Sequence, residues 1–267
     1  MEIGITTDWF LKQGYSHKVC EDYAFNGNDF VVLSDGCSMS DFTDYGARTL
    51  CFSAAGFIQA FGKKGGVPDY NIFKHQVLGT SVSNIKSLGL PLTSLDATLL
   101  VAFIEGPFIK VYVYGDGYIC TTDVYENKTF YQFEYSNNAP EYLTYELDPK
   151  RKETYLEEFG GELTVLKSEC LGNWEEIEPV NSFKFAINEF KTITLSSDGV
   201  ASFTAKNKGF VETMNPIASL NDFVSFKNFK GEFVRRRANK AIKTFEKVDI
   251  RNYDDLSIVG IHIEEVK

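Results

Sequence analysis

Residues 97–125, ATLLVAFIEGPFIKVYVYGDGYICTTDVY, constrain the fold more than any other stretch. Three apolar, β-branched and aromatic runs follow one another across Glu105-Gly106 and Gly115-Asp116-Gly117. Short runs of that composition split by Gly-containing turns predict an antiparallel meander. Further strands are expected at residues 3–7, 23–25, 30–33, 129–133, 183–186, 192–195 and 256–263. Helical spacing of apolar residues appears over 42–61, with Ser40 or Asp41 as cap and Tyr45, Leu50, Ala54, Phe57, Ile58 and Phe61 facing inward. It recurs over 69–88, where residues from Ile72 to Leu88 form one apolar face, and a third helix is expected over 231–245. Residues 134–180 are polar and aromatic without a deciding period.

Strands in succession, with helices inserted early and late, argue for an α+β fold rather than alternating βαβ units. Several strands are apolar on both faces, which asks for sheets covered by helices or by each other. A β-sandwich flanked by helices meets both demands. With no Pro/Gly/Ser-rich linker, one domain over residues 1–267 is expected.

The net charge of −10 argues against DNA, RNA or an anionic membrane as a general partner, since each needs a basic footprint. Five cysteines, at 20, 37, 51, 120 and 170, include no CxxC pair, so reduced thiols in a cytoplasmic protein are expected. No signal-peptide pattern opens the chain, and no apolar stretch approaches the roughly 20 residues of a membrane span. Nothing demands a dimer, and a monomer is the expectation.

Two distant runs, FVVLSDG (30–36) and TITLSSDG (192–199), end alike on Asp-Gly. Glu21-Asp22, Asp116 and Asp254-Asp255 also stand at strand ends or turns. Each alone reads as an ordinary turn or solvated loop; the set suggests more, although composition does not show that its members converge. Carboxylates gathered at one sheet edge repel, and a divalent cation relieves that repulsion. An all-oxygen set suits Mg²⁺ or Mn²⁺, whereas Zn²⁺ favours added His or Cys, and the three histidines, at 17, 75 and 262, lack ligand spacing. Two such ions sharing an aspartate would activate water and clamp a phosphoryl oxygen.

The order of these motifs resembles the metal-dependent protein phosphatases of type 2C, in a bacterial-type branch. The matching pieces are the acidic pair in SHKVCEDYA, then VVLSDG, DATLLVAFI, VYVYGDG, LSSDG, and finally DDLS at 254–257. The resemblance runs from about residue 4 to 263. It implies a four-layer α-β-β-α sandwich with two central, mostly antiparallel sheets and a metal cluster at one edge. Carried over by motif, Asp35 bridges two Mn²⁺ or Mg²⁺ ions, Asp198 and Asp254 hold the first, and Glu21 with the Gly36 carbonyl holds the second. Asp22 orients the attacking water, and Asp116 belongs to a third, weaker site. The implied activity is hydrolysis of phosphoserine and phosphothreonine on proteins in signalling, with a cognate serine/threonine kinase as an implied partner.

Three positions depart from the family pattern. His17 stands where many members grip phosphate with Arg; it is either a phosphate contact or proton donor, or a structural histidine. Cys37 replaces a histidine found after Asp-Gly in some members, and reads as an ordinary buried or loop thiol. Ser202 replaces an Asp that completes the third site. His17 and Ser202 favour an alternative, a pseudophosphatase that binds phosphoproteins; the intact Glu21, Asp35, Asp198 and Asp254 weigh against it. A small phosphate ester as substrate also stays open. The basic run RRRANKAIK (235–243) reads as a solvated helix face or a receiver of acidic phosphopeptides, and NNAPEYLTYELD (137–148) as packing or substrate rim.

Overall fold

The computed structural model describes residues 2–62, 66–169, 173–207 and 210–266. Its first half runs β1 (Glu2–Lys12), β2 (Tyr23–Asn26), β3 (Phe30–Ser34), α1 (Thr43–Gly62), α2 (Tyr70–Ser87), β4 (Leu99–Glu105), β5 (Phe108–Tyr114), β6 (Gly117–Asp123) and β7 (Lys128–Tyr135). Then come α3 (Pro149–Phe159), β8 (Leu163–Ser168), β9 (Glu175–Ile177), β10 (Ser182–Ala186) and β11 (Phe190–Ser196). The remainder is β12 (Phe203–Asn207), β13 (Phe210–Thr213), α4 (Pro216–Val224), α5 (Phe233–Glu246), β14 (Ile250–Asn252) and β15 (Leu256–Val266).

A seven-stranded sheet has the order β1-β15-β11-β6-β7-β8-β9, a five-stranded sheet the order β10-β5-β4-β3-β2, and β13-β12-β14 form a small third sheet. The ladders are antiparallel, as in β1 with β15, β3 with β4 and β11 with β6. Leu33, Leu100 and Val111 of the five-stranded sheet meet Ile119, Leu195 and Val259 of the seven-stranded one in a buried layer. Helices α1 and α2 cover the outer face of the former, packing Leu50 and Phe73 with Val32 and Phe103. Helices α4 and α5 cover the latter, packing Phe223 and Phe245 with Phe130 and Ile258. The four-layer sandwich is thus present.

The meander expected over 97–125 is broken. Strands β4 and β5 pair from Leu99↔Tyr114 to Glu105↔Phe108, but β6 crosses to the other sheet and pairs with β7 and β11. The crossing is Gly115-Asp116-Gly117, whose glycines have φ of +95° and +131°, a region that side chains other than Gly rarely enter. Composition marks a turn there but does not say which sheet receives the next strand.

Other boundaries move for local reasons. Helix α1 starts at Thr43 because Phe42 has φ +63°, and the expected cap, Ser40, gives its hydroxyl to Asp96. Tyr45 and Phe61 of α1, and Ile72 and Leu88 at α2, face solvent rather than the core. Asp69 caps α2 by accepting the Ile72 N–H at 3.1 Å. Strands β1 and β15 run further than expected, pairing from Glu2↔Val266 to Lys12↔Leu256. The basic run on α5 is largely used within the molecule: Arg235 pairs with Glu232, Arg236 donates to the Lys230 and Asn228 carbonyls, and Arg237 to the Asp222 carbonyl. Cys20, Cys37, Cys51 and Cys120 are free thiols, and Cys170 lies outside the described residues. Among the described residues, no helix is long and apolar enough to cross a membrane.

Candidate metal centre

The carboxylates singled out from the sequence arrive at one edge of the sandwich from both sheets. Asp35 follows β3 in the five-stranded sheet; Asp198 follows β11, and Asp254 precedes β15, in the seven-stranded one. Asp116 sits where β5 hands over to β6, and Glu21-Asp22 lead into β2. A cleft of about 490 Å³ opens there, lined by Asp35, Gly36, Asp116, Asp198 and Asp254 among others. The two late turns are locked together: Ser197 N–H donates to the Ser257 carbonyl at 3.0 Å, and Ser257 N–H to Ser197 Oγ at 3.0 Å. A Cβ at position 199 would fall 1.7 Å from the Asp255 carbonyl oxygen, so only glycine lets the Asp198 turn dock. That close approach explains the second Asp-Gly.

Glu21 and Asp22 complete the edge. Thr43 Oγ1 donates to Glu21 Oε1 at 3.2 Å and also contacts the Cys37 carbonyl, at 3.2 Å. Asp22 is 1% exposed, and its buried carboxylate lies beside the Ser197 and Ser257 hydroxyls and Asp35 without a well-formed hydrogen bond to them. Burying an ionised carboxylate so poorly satisfied is costly, which a cation at the neighbouring Asp35 would relieve.

Electrostatics agree. Burial first, then the charges of Asp22, Asp198 and Asp254, push the Asp35 carboxyl well above its usual range. Burial also raises Asp198, and burial with the repulsion of Asp198 and Asp254 raises Asp116 far. Asp254 is pushed up to about 6, by burial and then by Asp198. Burial lifts Asp22 to about 7 against the opposing influence of the Ser257 and Ser197 side chains. Divalent cations fit this donor set: they restore the favourability of the ionised forms, and the ligands are hard oxygens. Asp35, Asp198 and Asp254 with the Gly36 carbonyl and Glu21 are the residues able to hold them.

His17 lies between the two ends of the set. Its Nε2 is 3.3 Å from Asp254 Oδ1, and its Nδ1 is 3.0 Å from Asp255 Oδ2 and 3.9 Å from Glu21 Oε2. Burial lowers the imidazole pKa, but Asp255, Asp254 and Glu21 outweigh it and the net shift is upward. Asp255, buried at 1% exposure, also accepts the N–H groups of Gly14 at 2.7 Å and Glu21 at 2.6 Å. It therefore ties the loop carrying His17 and Glu21 to the turn carrying Asp254. Among the described residues, His17, Glu21 and Asp255 are the group of three possible ligand atoms lying within 4.8 Å of one another; Asp35, Asp198 and Asp254 do not come that close together. Ser202, in place of an acid, turns its hydroxyl back to the Gly199 carbonyl at 2.7 Å.

The segment 137–148, read from the sequence as packing or substrate rim, does line the other wall of the cleft through Tyr142 and Tyr145, whereas Asp96 and Arg151, which line the same space, were not singled out. Arg151 grips Asp96 with both guanidinium nitrogens, at 2.9 and 2.5 Å. A signal was available: Asp148-Pro149 is a helix start, and Asp148 does cap α3 through the Lys150 and Arg151 N–H groups. No local signal tells that Arg151 and Asp96, far apart in sequence, would meet.

The family described as protein phosphatase 2C matches residues 13–230. The search of curated proteins returned no match. Similar solved structures include a bacterial serine phosphatase, 12% identical, with TM-score 0.57 and 98% of each chain covered. Another is the catalytic domain of the serine/threonine protein phosphatase PstP in complex with two manganese ions, 13% identical, TM-score 0.55, covering 99% of this chain and 100% of that one. A third is the serine/threonine phosphatase Stp1 from Staphylococcus aureus, 12% identical, TM-score 0.52, covering 99% and 98%.

Proposed function

Given that the chain belongs to the protein phosphatase 2C family, whose members are metal-dependent protein serine/threonine phosphatases, we propose that it is an active enzyme hydrolysing phosphoserine and phosphothreonine at a binuclear Mn²⁺ or Mg²⁺ centre. The observation that supports this most is the convergence of Asp35, Asp116, Asp198 and Asp254 from both sheets on one cleft, with each carboxyl pushed above its usual range. A chain that had abandoned catalysis would have little reason to keep so costly a group. In this reading Asp35, Asp198 and Asp254, with Glu21 and the Gly36 carbonyl, would hold the ions. Bound cations supply charge neutralisation at phosphorus and activation of the attacking water.

The chain's own residues do the rest. Asp22, buried beside Asp35, would orient that water. His17, pressed among three carboxylates, keeps a proton available for the phosphate or its leaving group. With Ser202 in place of a further acid, Asp116 would hold a third ion only weakly. Burial in the cleft strengthens each of these interactions relative to water.

The test is Mn²⁺-dependent hydrolysis of a phosphothreonine peptide by the wild type, Asp35→Asn and Asp198→Asn. Metal-dependent turnover lost in both variants is the expected result. Tight metal binding by calorimetry without turnover of peptide or small esters would instead identify a phosphoprotein-binding module. Absence of metal binding would sink the centre itself.

A further inference from the structure

Asp96 joins stretches of chain that no sheet ladder connects. Its side chain is fully buried and accepts Ser40 Oγ at 2.8 Å, Thr144 Oγ1 at 2.5 Å, and the two-pronged grip of Arg151. Its carbonyl accepts the Cys37 N–H at 2.8 Å, and the next residue, Ala97, bridges to Gly36. One residue thus stands between the loop that carries Asp35 and the segment 137–159 that forms the facing wall.

Helix α3 has few other ties to the sandwich. Its one buried side chain is Tyr155, which stacks on Tyr145 at 4.5 Å and donates to the Ala139 carbonyl at 2.8 Å, both within the same wall. Lys152 likewise pairs with Glu141 of that wall. Arg151 reaches out of it, lying 4.8 Å over the Tyr145 ring on its way to Asp96. A guanidinium–carboxylate fork is planar and directional, so it fixes an orientation as well as a distance.

We propose that Arg151 is a positioning residue: by clamping α3 to Asp96 it sets the shape of the cleft that a phosphorylated protein segment must cross. The inference rests on the phosphatase reading above and narrows its substrate class. A small phosphate ester occupies only the carboxylate edge, whereas a peptide extends along the wall. Loosening the fork therefore penalises the peptide more than the ester. Arg151→Lys is the variant of choice, because it keeps a charge beside buried Asp96 while losing the two-point grip. The double variant Arg151→Met/Asp96→Asn removes both charges and guards against a folding defect in the first.

The experiment compares kcat/KM for a phosphothreonine peptide and for p-nitrophenyl phosphate with Mn²⁺, alongside hydrogen exchange over residues 137–159. The expected result in both variants is a fall of about tenfold in the peptide-to-ester ratio, carried by KM, with faster exchange in the wall. An unchanged ratio, or a peptide loss through kcat alone, would overturn the proposal. If the wild type turns over neither compound, the phosphatase reading fails separately. Peptide affinity by fluorescence anisotropy then decides: weaker binding in the variants supports the clamp, and equal binding refutes it.

Discussion

Asp35 and Thr98 hold each other reciprocally: the Thr98 N–H donates to the Asp35 carbonyl at 2.8 Å, and the Asp35 N–H donates to Thr98 Oγ1 at 3.1 Å. The backbone of the expected metal-bridging residue is therefore fixed by a threonine immediately before β4. Thr98→Val keeps the shape but strands a buried N–H, a loss of about 1–3 kcal/mol. Chemical denaturation should show that loss, and Mn²⁺ affinity should weaken with it. A variant with wild-type stability and metal affinity would show that Asp35 does not depend on this pair.

Asp198→Asn separates the function of the cluster from its stability. Turnover should fall by more than the roughly 10–100-fold typical of losing an outer partner of a metal ligand. The metal-free protein should melt higher, by about 2–4 °C for each kcal/mol of repulsion relieved. A lower melting temperature would mean that Asp198 is favourably paired in the metal-free fold, contrary to its raised pKa.

Stability of the metal-free protein should fall as pH rises. Asp254 at about 6 and Asp22 at about 7 lie above their ordinary value of 3.8, so the folded state binds more protons than the unfolded chain between those limits. Their contribution is complete below about pH 4 and is lost as pH climbs through 6 and 7. Mn²⁺ needs the ionised forms, so its binding should release protons and strengthen over the same window. Calorimetry in buffers of different ionisation enthalpy measures the release; none at pH 6 would contradict the assignment of Asp254 as a ligand.

For His17→Ala the expectation is a fall in kcat/KM of about a hundredfold or more, with metal binding retained. Asp255→Asn should lose less activity but more stability, because one oxygen cannot accept both the Gly14 and Glu21 N–H groups as the carboxylate does. Normal turnover by His17→Ala would leave that histidine a structural role only.

His262 offers a titration remote from the carboxylate edge. It is buried against the Phe229 ring, 3.6 Å between centroids, with Nδ1 3.1 Å from the Lys191 carbonyl. Burial depresses its pKa below 6.5, so the unfolded chain binds more protons as pH falls past that value. The stability it contributes is present above pH 6.5 and lost on acidification. Denaturation midpoints of wild type and His262→Gln, compared between pH 7.5 and 5, should converge as pH falls. A constant difference would show that this imidazole does not titrate with folding.

Periodicity and turn chemistry carried much of the fold because the core elements obey them. Helix α2 has its Asp69 cap and Val77 and Ile85 inside, and β3 stops at the Asp-Gly that its apolar run announces. Such rules are local, and they failed where a distant partner decided the outcome. The destination of β6 depended on which sheet had room beside β11. Phe42 left the helix because Ser40 had been recruited by Asp96. The carboxylates were legible because like charges at strand ends need a common explanation. The Asp96–Arg151 clamp was not, since an ion pair across 55 positions leaves no period in either segment.

The long pairing of β1 with β15 has a kinetic consequence. Glu2 meets Val266 and Lys12 meets Leu256, so an eleven-residue ladder at one edge of the seven-stranded sheet joins opposite ends of the described chain. Closing such loops costs entropy before any contact repays it, which makes folding slow for a domain of this size. On a ribosome, β1 has to wait unpaired until residues 256–266 emerge, and the Asp254 turn just before them cannot dock until then. Assembly of the carboxylate edge is thus delayed until β15 has been made, and a chain halted before β15 is left with β1 unpaired and β11 as an open edge, exposed to pairing with other chains.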